Sequence, residues 1–72
     1  MRDVRRVAAH EVDVCNERIL NNAVVELSDG VVKECYTFSG ELPFTEWLGG
    51  TIEIRRNPDG EPEAYWNGRR LE

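Results

Sequence analysis

The side chains able to do chemistry in this 72-residue chain are few: one histidine, His10, and two cysteines, Cys15 and Cys35. Nucleophilic catalysis needs a nucleophile, a base and an orienting group that converge. Cys15 or Cys35 with His10 is the single Cys–His combination. Cys35 falls mid-strand, where a thiol packs. Cys15 falls at a turn and is the one thiol placed to react, so a thiol enzyme is the least favoured reading. Zinc sites draw on Cys and His at characteristic spacing, and no Cys-x-x-Cys occurs. His10, Glu11 and Asp13 do not converge either, because alternation along a strand puts both carboxylates on the face opposite His10. Gly49-Gly50 lacks the following Lys or helix of a phosphate-binding loop. No catalytic residue, metal ligand or cofactor is assigned.

Charge bears on partners. Nine basic against 14 acidic residues give a net charge of −5, with a pI near 4.8. A phosphate-backbone binder shows a basic patch. Here the basic clusters are the doublets Arg5-Arg6, Arg55-Arg56 and Arg69-Arg70, and a strand splits each doublet between its two faces. Nucleic acid is not an expected partner. Base stacking also needs aromatics on one face with basic residues between them. The aromatics are Tyr36, Phe38, Phe44, Trp47, Tyr65 and Trp66. Phe44 and Trp47 are expected to plug one end of the core. Tyr65 and Trp66 alternate, so one of them points outward, towards a dimer contact or a ligand. Phe44, Trp47, Tyr65 and Trp66 therefore form the candidate interaction surface.

The elements that must position these residues centre on Arg18 to Phe38. Asp29-Gly30 between two β-branched runs is a hairpin signal, since a type I′ turn needs φ > 0 at both central residues. That turn sets Ser28 against Val31, Leu27 against Val32, Glu26 against Lys33, Val25 against Glu34, Val24 against Cys35 and Ala23 against Tyr36. Glu34 interrupts the apolar face, at a sheet end or at a bulge that shifts the register. Val4 to Val14 is a first strand with neither face clean, which points to a bulge or twist near Ala8-Ala9. Helix competes over Arg2 to Ala9, but the β-branched residues beyond favour strand. Cys15 to Arg18 is a turn, and Asn21-Asn22 a kink.

Ser39 to Pro43 is a loop, and Phe44 to Leu48 a short turn or 3₁₀ segment. Thr51 to Arg56 alternates as a strand. Asn57-Pro58-Asp59-Gly60 is a turn with Gly60 in the left-handed region. It sets Arg55 against Glu63, Ile54 against Ala64 and Ile52 against Trp66. Asn67-Gly68 turns Arg69 to Glu72 back, with Leu71 opposite Ala64. The whole is one β-domain, residues 1–72. It is an all-β chain of about six short strands, a small antiparallel sandwich or partly open barrel.

A chain this short buries only about 60% of its unfolded surface, so a thin core gains from a partner. No apolar run approaches the ~20 residues of a membrane helix. Met1-Arg2-Asp3 leads into a charged strand without a signal peptide. The expected compartment is the cytoplasm, with both thiols reduced.

Val12-Asp13-Val14 with Arg18-Ile19-Leu20-Asn21-Asn22-Ala23-Val24-Val25-Glu26-Leu27-Ser28-Asp29-Gly30-Val31-Val32 resembles the opening of the amidohydrolase superfamily. Gly40-Glu41 and Trp47-Leu48-Gly49-Gly50-Thr51-Ile52 resemble the later strand leading into that family's barrel. Glu63 to Arg70 resembles its closing strands. The resemblance implies the family's composite β-sandwich domain without its catalytic barrel. Arg55-Arg56-Asn57-Pro58-Asp59-Gly60 stands where the family carries a His-x-His metal pair, so no catalytic residue carries over. The expected function is a non-catalytic module that forms a homodimer or docks on another protein. The alternative is a small-ligand module with its pocket between Trp47, Phe44 and an open sheet end. The mixed faces of the first strand also allow it to swap to a neighbour.

Overall fold

A computed structural model describes residues 4–72 of the chain. Residues 2 and 3 of the competing helix, and the opening Met1-Arg2-Asp3, lie outside the described residues. Turns set the frame. Asp29 and Gly30 have φ of 53° and 77°, and Asn67 and Gly68 have φ of 51° and 78°. Both pairs have the left-handed values that the type I′ turn demands. At the third turn Gly60 has φ of 84°, and the Asn57 side chain accepts from the Asp59 and Glu61 amides at 2.9 Å each.

Between these turns run β1 (Arg5–Val14), β2 (Arg18–Ser28), β3 (Val31–Thr37), β4 (Glu46–Trp47), β5 (Thr51–Arg56), β6 (Pro62–Trp66) and β7 (Arg69–Arg70). They make one sheet in the order β3-β2-β1-β5-β6-β7, with β4 also on β1. Among the described residues there is no helix. The all-β expectation holds, and the sheet stays open. One feature differs from an antiparallel reading: β1 runs parallel to both β4 and β5. β1 itself pairs with β2 of the same chain from Arg5 to Val14.

The expected registers of β5 with β6 are those observed, Ile52 with Trp66, Ile54 with Ala64 and Arg55 with Glu63. The Leu71 amide donates to the Ala64 carbonyl at 2.8 Å. The central hairpin is as expected only next to its turn. Ser28 faces Val31 and Leu27 faces Val32, but Glu26 then faces Glu34, Val25 faces Cys35, Val24 faces Tyr36 and Ala23 faces Thr37. The expected partners Lys33, Glu34, Cys35 and Tyr36 are each displaced by one. Lys33 is the extra residue of a β-bulge. The physical reason is burial: the shift turns Cys35 towards the core and leaves Glu34 exposed.

The core holds Val7, Ala9, Val12, Ala23, Val25, Leu27, Ile52, Ile54, Ala64 and Leu71. β1 changes the face it buries between Ala9 and Val12. Opposite that step Asn22 takes a left-handed φ of 52°, so the twist near Ala8-Ala9 and the kink at Asn21-Asn22 are one feature. The sheet curls until β3 and β6 pack across the core. Arg70 lies over the first turn, where a Cβ on Gly30 would stand 2.7 Å from its Nη2.

The end-plug reading of Phe44 and Trp47 is overturned. Phe44 is 93% exposed and Trp47 53% exposed. Trp47 lies beside Ala8 on the outer face, and Leu48, one residue on, packs against the core instead. Alanines at 9, 23 and 64 bring the strands close and leave little room for a ring.

Leu27→Ala should lower the unfolding free energy by about 2–5 kcal/mol, a large part of the ~4–10 kcal/mol expected for this length. Phe44→Ala should change it by less than about 0.5 kcal/mol in dilute solution. Urea titration followed by circular dichroism checks both. A loss at Phe44 comparable to that at Leu27 would restore the plug.

Candidate functional site

The outer face carries its own small apolar cluster. Ala8 and Val24 are 1% and 0% exposed, yet neither belongs to the core. Register puts them in one row across four strands, Trp47–Ala8–Val24–Tyr36. Two small side chains in the middle and two aromatic ones at the ends make a trough.

The connection from β3 to β4 deepens that trough into a cleft of about 240 Å³, lined by Ala8, Asn22, Phe38, Leu42, Thr45 and Trp47, with Gly40 at its rim. The Phe38 amide donates to the Asn22 carbonyl at 2.9 Å, which carries the chain past the end of β3. The ring centroids of Phe38 and Trp47 lie 6.4 Å apart with the planes at 84°. His10 meets Trp47 from another side, edge to face, with centroids 4.8 Å apart.

Gly49-Gly50 seats two indoles. Both glycines have left-handed φ, 73° and 63°. A Cβ on Gly49 would stand 3.7 Å from Trp47 Nε1, and one on Gly50 would stand 3.8 Å from Trp66 Nε1. Trp66 Nε1 donates to the Gly49 carbonyl at 2.9 Å.

The four residues of the expected interaction surface are dispersed. Trp47 walls the cleft. Phe44 stands at one end of the sheet, beside a hollow of about 380 Å³ that Val4, Leu27 and Glu46 also line. Trp66 packs inward against the core. Tyr65 is the member of its pair that turns outward, with the Arg55 guanidinium 5.2 Å from its ring centre and its hydroxyl donating to Glu63 at 3.2 Å. Sequence reading missed Phe38, Leu42, Asn22 and the Ala8 floor. The available signal was the position of Phe38 and Trp47 at either end of one loop.

Next to the cleft, the Tyr36 hydroxyl donates to Glu26 Oε2 at 2.6 Å, and Arg6 Nε donates to the same oxygen at 3.1 Å. The Tyr36 hydrogen bond, with Arg6 second, holds the Glu26 carboxyl below its usual range against the opposing effect of burial. The same bond pushes the Tyr36 phenol up.

The thiols are separate from all this. Cys15 and Cys35 are free and half-buried, both packed against the core. Burial pushes the Cys35 thiol up, with Arg18 opposing weakly. His10 packs on Trp47, and among the described residues no group of three or more His, Cys, Asp or Glu side chains is placed to hold a metal ion.

Fold and site together define a small all-β domain with an aromatic cleft on its outer face. No known family model matches the sequence, and no curated protein or solved structure matches it.

In the folded chain Glu26 holds its proton less tightly than in the unfolded chain. The unfolded state therefore binds more protons below the usual glutamate value of about 4.5. Stability from Glu26 is present above that value and is lost as pH falls through the lower folded value. Tyr36→Phe should destabilise the protein at neutral pH, and the difference from wild type should shrink as pH falls below the usual glutamate value and through the lower folded one. Thermal melts across pH check this, and a difference that does not depend on pH would contradict the assignment.

Proposed function

We propose that this chain is a non-catalytic docking module that pairs with a second copy of itself through the sheet end at Phe44. The observation that carries the reading is Phe44, 93% exposed on a left-handed φ of 55°. A bulky side chain held at positive φ costs about 1–2 kcal/mol, and full exposure of a ring forgoes its burial. Both costs are offset when the ring enters a partner.

Phe44 stands beside a hollow that Val4 and Leu27 line together with the charged residues Arg5, Arg6, Asp29, Glu46 and Glu72. A projecting ring and a recess on one surface suit a two-fold pair, in which each copy fills the recess of the other. Val4, 46% exposed, extends the apolar contact. The thin core gives such a pairing an energetic reason. The resemblance to the amidohydrolase β-domain adds another, because in those enzymes the domain packs against a barrel, and a free copy carries a surface suited to being covered. The half-buried thiols and the raised Cys35 thiol support a role other than thiol catalysis.

Each copy carries a charge of −5, so pairing works against repulsion that salt screens. Light scattering over a concentration series should give a doubled mass, tighter at 0.5 M salt than at about 0.05 M. Phe44→Ser should remain folded and shift the midpoint at least about tenfold towards monomer. A wild-type monomer at every concentration and salt level would reject the pairing.

A further inference from the structure

We infer that the cleft between Phe38 and Trp47 is a binding site for a methylated ammonium group. Phe38 and Trp47 stand nearly perpendicular, at 84°, so they form a corner of two π systems. A cation is attracted to a ring face within about 6 Å of its centre, and a corner offers it two rings at once. The lining supplies Leu42 and the Ala8 floor as apolar contacts and contains no basic side chain.

Charge selects among possible occupants. The segment from Ser39 to Trp47 carries Glu41 and Glu46 as its charged residues. Glu41 sits between the lining residues Gly40 and Leu42, and Glu46 between Thr45 and Trp47. Glu46 is paired with Arg5 at 2.8 Å, and Glu41 is exposed on the loop that borders the cleft. The chain as a whole is at −5. A cation is drawn in and an anion is repelled.

Methylation follows from the lining. A primary ammonium brings three N–H donors that need acceptors when it leaves water, and the lining offers two neutral side-chain acceptors, Asn22 and Thr45, and no carboxylate. A trimethylammonium group has no N–H to satisfy and spreads its charge over methyl surfaces that pack on rings. A cleft of about 240 Å³ suits such a head group and falls below the ~300–1,000 Å³ typical of sites for drug-sized ligands. The group can belong to a free quaternary amine or to a trimethylated lysine on another chain. The site does not depend on the pairing at Phe44.

The test is an NMR titration of the ¹⁵N-labelled full chain, read at the Trp47 indole N–H. The Trp66 indole N–H, bonded to Gly49, is the internal reference. Choline should give a saturable shift at Trp47. Its neutral carbon isostere, 3,3-dimethylbutan-1-ol, should bind at least about fivefold more weakly. Phe38→Leu keeps the apolar volume and removes one ring, and it should weaken choline binding about five- to tenfold while leaving the isostere nearly unchanged. Equal binding of choline and isostere would overturn the inference, and so would no saturable shift with choline at tens of millimolar. Should Phe38→Leu fail to fold, the choline–isostere contrast on the wild-type chain decides alone. A trimethyllysine peptide separates the sources: tighter binding than choline places the group on a partner chain, and equal or weaker binding favours the free amine.

Discussion

β1 is the strand on which the rest depends. It is paired along both edges, with β2 on one side and with β4 and then β5 on the other. A strand hydrogen-bonded on both edges cannot shift without breaking two ladders. That anchorage lets β1 change its buried face between Ala9 and Val12 while the sheet stays continuous. Its smallest residues then decide what each face can hold. Ala9 faces the core opposite Ala23, and Ala8 forms the floor of the outer trough. A larger side chain at Ala9 would push the curled sheet apart, and one at Ala8 would fill the outer trough.

The asymmetry between the edges of β1 explains the site. Along β2 the ladder remains in step, with Ala9 opposite Ala23 and Glu11 opposite Asn21. Along the other edge Ala8 meets Trp47 and Glu11 meets Thr51, so Leu48, Gly49 and Gly50 span the distance of Ala9 and His10. The extra residue is absorbed by two glycines in left-handed conformations, an arrangement costly for any other residue. Trp47 and Ile52, five positions apart, point outward and inward as strand alternation requires, and the extra residue sets Ile52 beside the buried Val12 instead of Asp13. The cleft thus originates in backbone conformation, and the two indoles resting on Gly49-Gly50 mark the point where the faces exchange.

Local features were legible in the sequence and non-local ones were not. The turns at Asp29-Gly30, Asn57 to Gly60 and Asn67-Gly68 were legible because the conformation they need is confined to few residue types. The β5–β6 register followed from matching Arg55 with Glu63 and Ile54 with Ala64. The regular β2–β3 register did not hold beyond Leu27, and the bulge that Glu34 on the apolar face had signalled as an alternative is the one observed, at Lys33. The parallel placement of β5 on β1 left no local trace, since a parallel pair is joined by a long crossover rather than a tight turn. The parallel pairing of β4 on β1 likewise controls where Trp47 points, so the reading of Trp47 as a core plug failed for the same reason. Counting aromatics identified the material of the site, and only the topology located it.

Phe44 and Trp47 are close in sequence, yet the sheet gives them different surroundings. Trp47 is fixed by the ladder to β1 and braced by Phe38, His10 and Gly49, so its exposed ring is a prepared surface with a defined wall. Phe44 has no ladder partner and projects at the sheet end, beside a recess it does not fill. Rigid support with a shaped cavity favours recognition of a small group. A projecting ring beside an unfilled recess favours contact with another macromolecule. The acidic balance acts on the two in opposite directions, because it raises the local concentration of cations at the cleft and opposes the approach of a second copy at Phe44. Ionic strength therefore separates the two surfaces: screening weakens attraction of a cation at the Trp47 wall and favours association through Phe44.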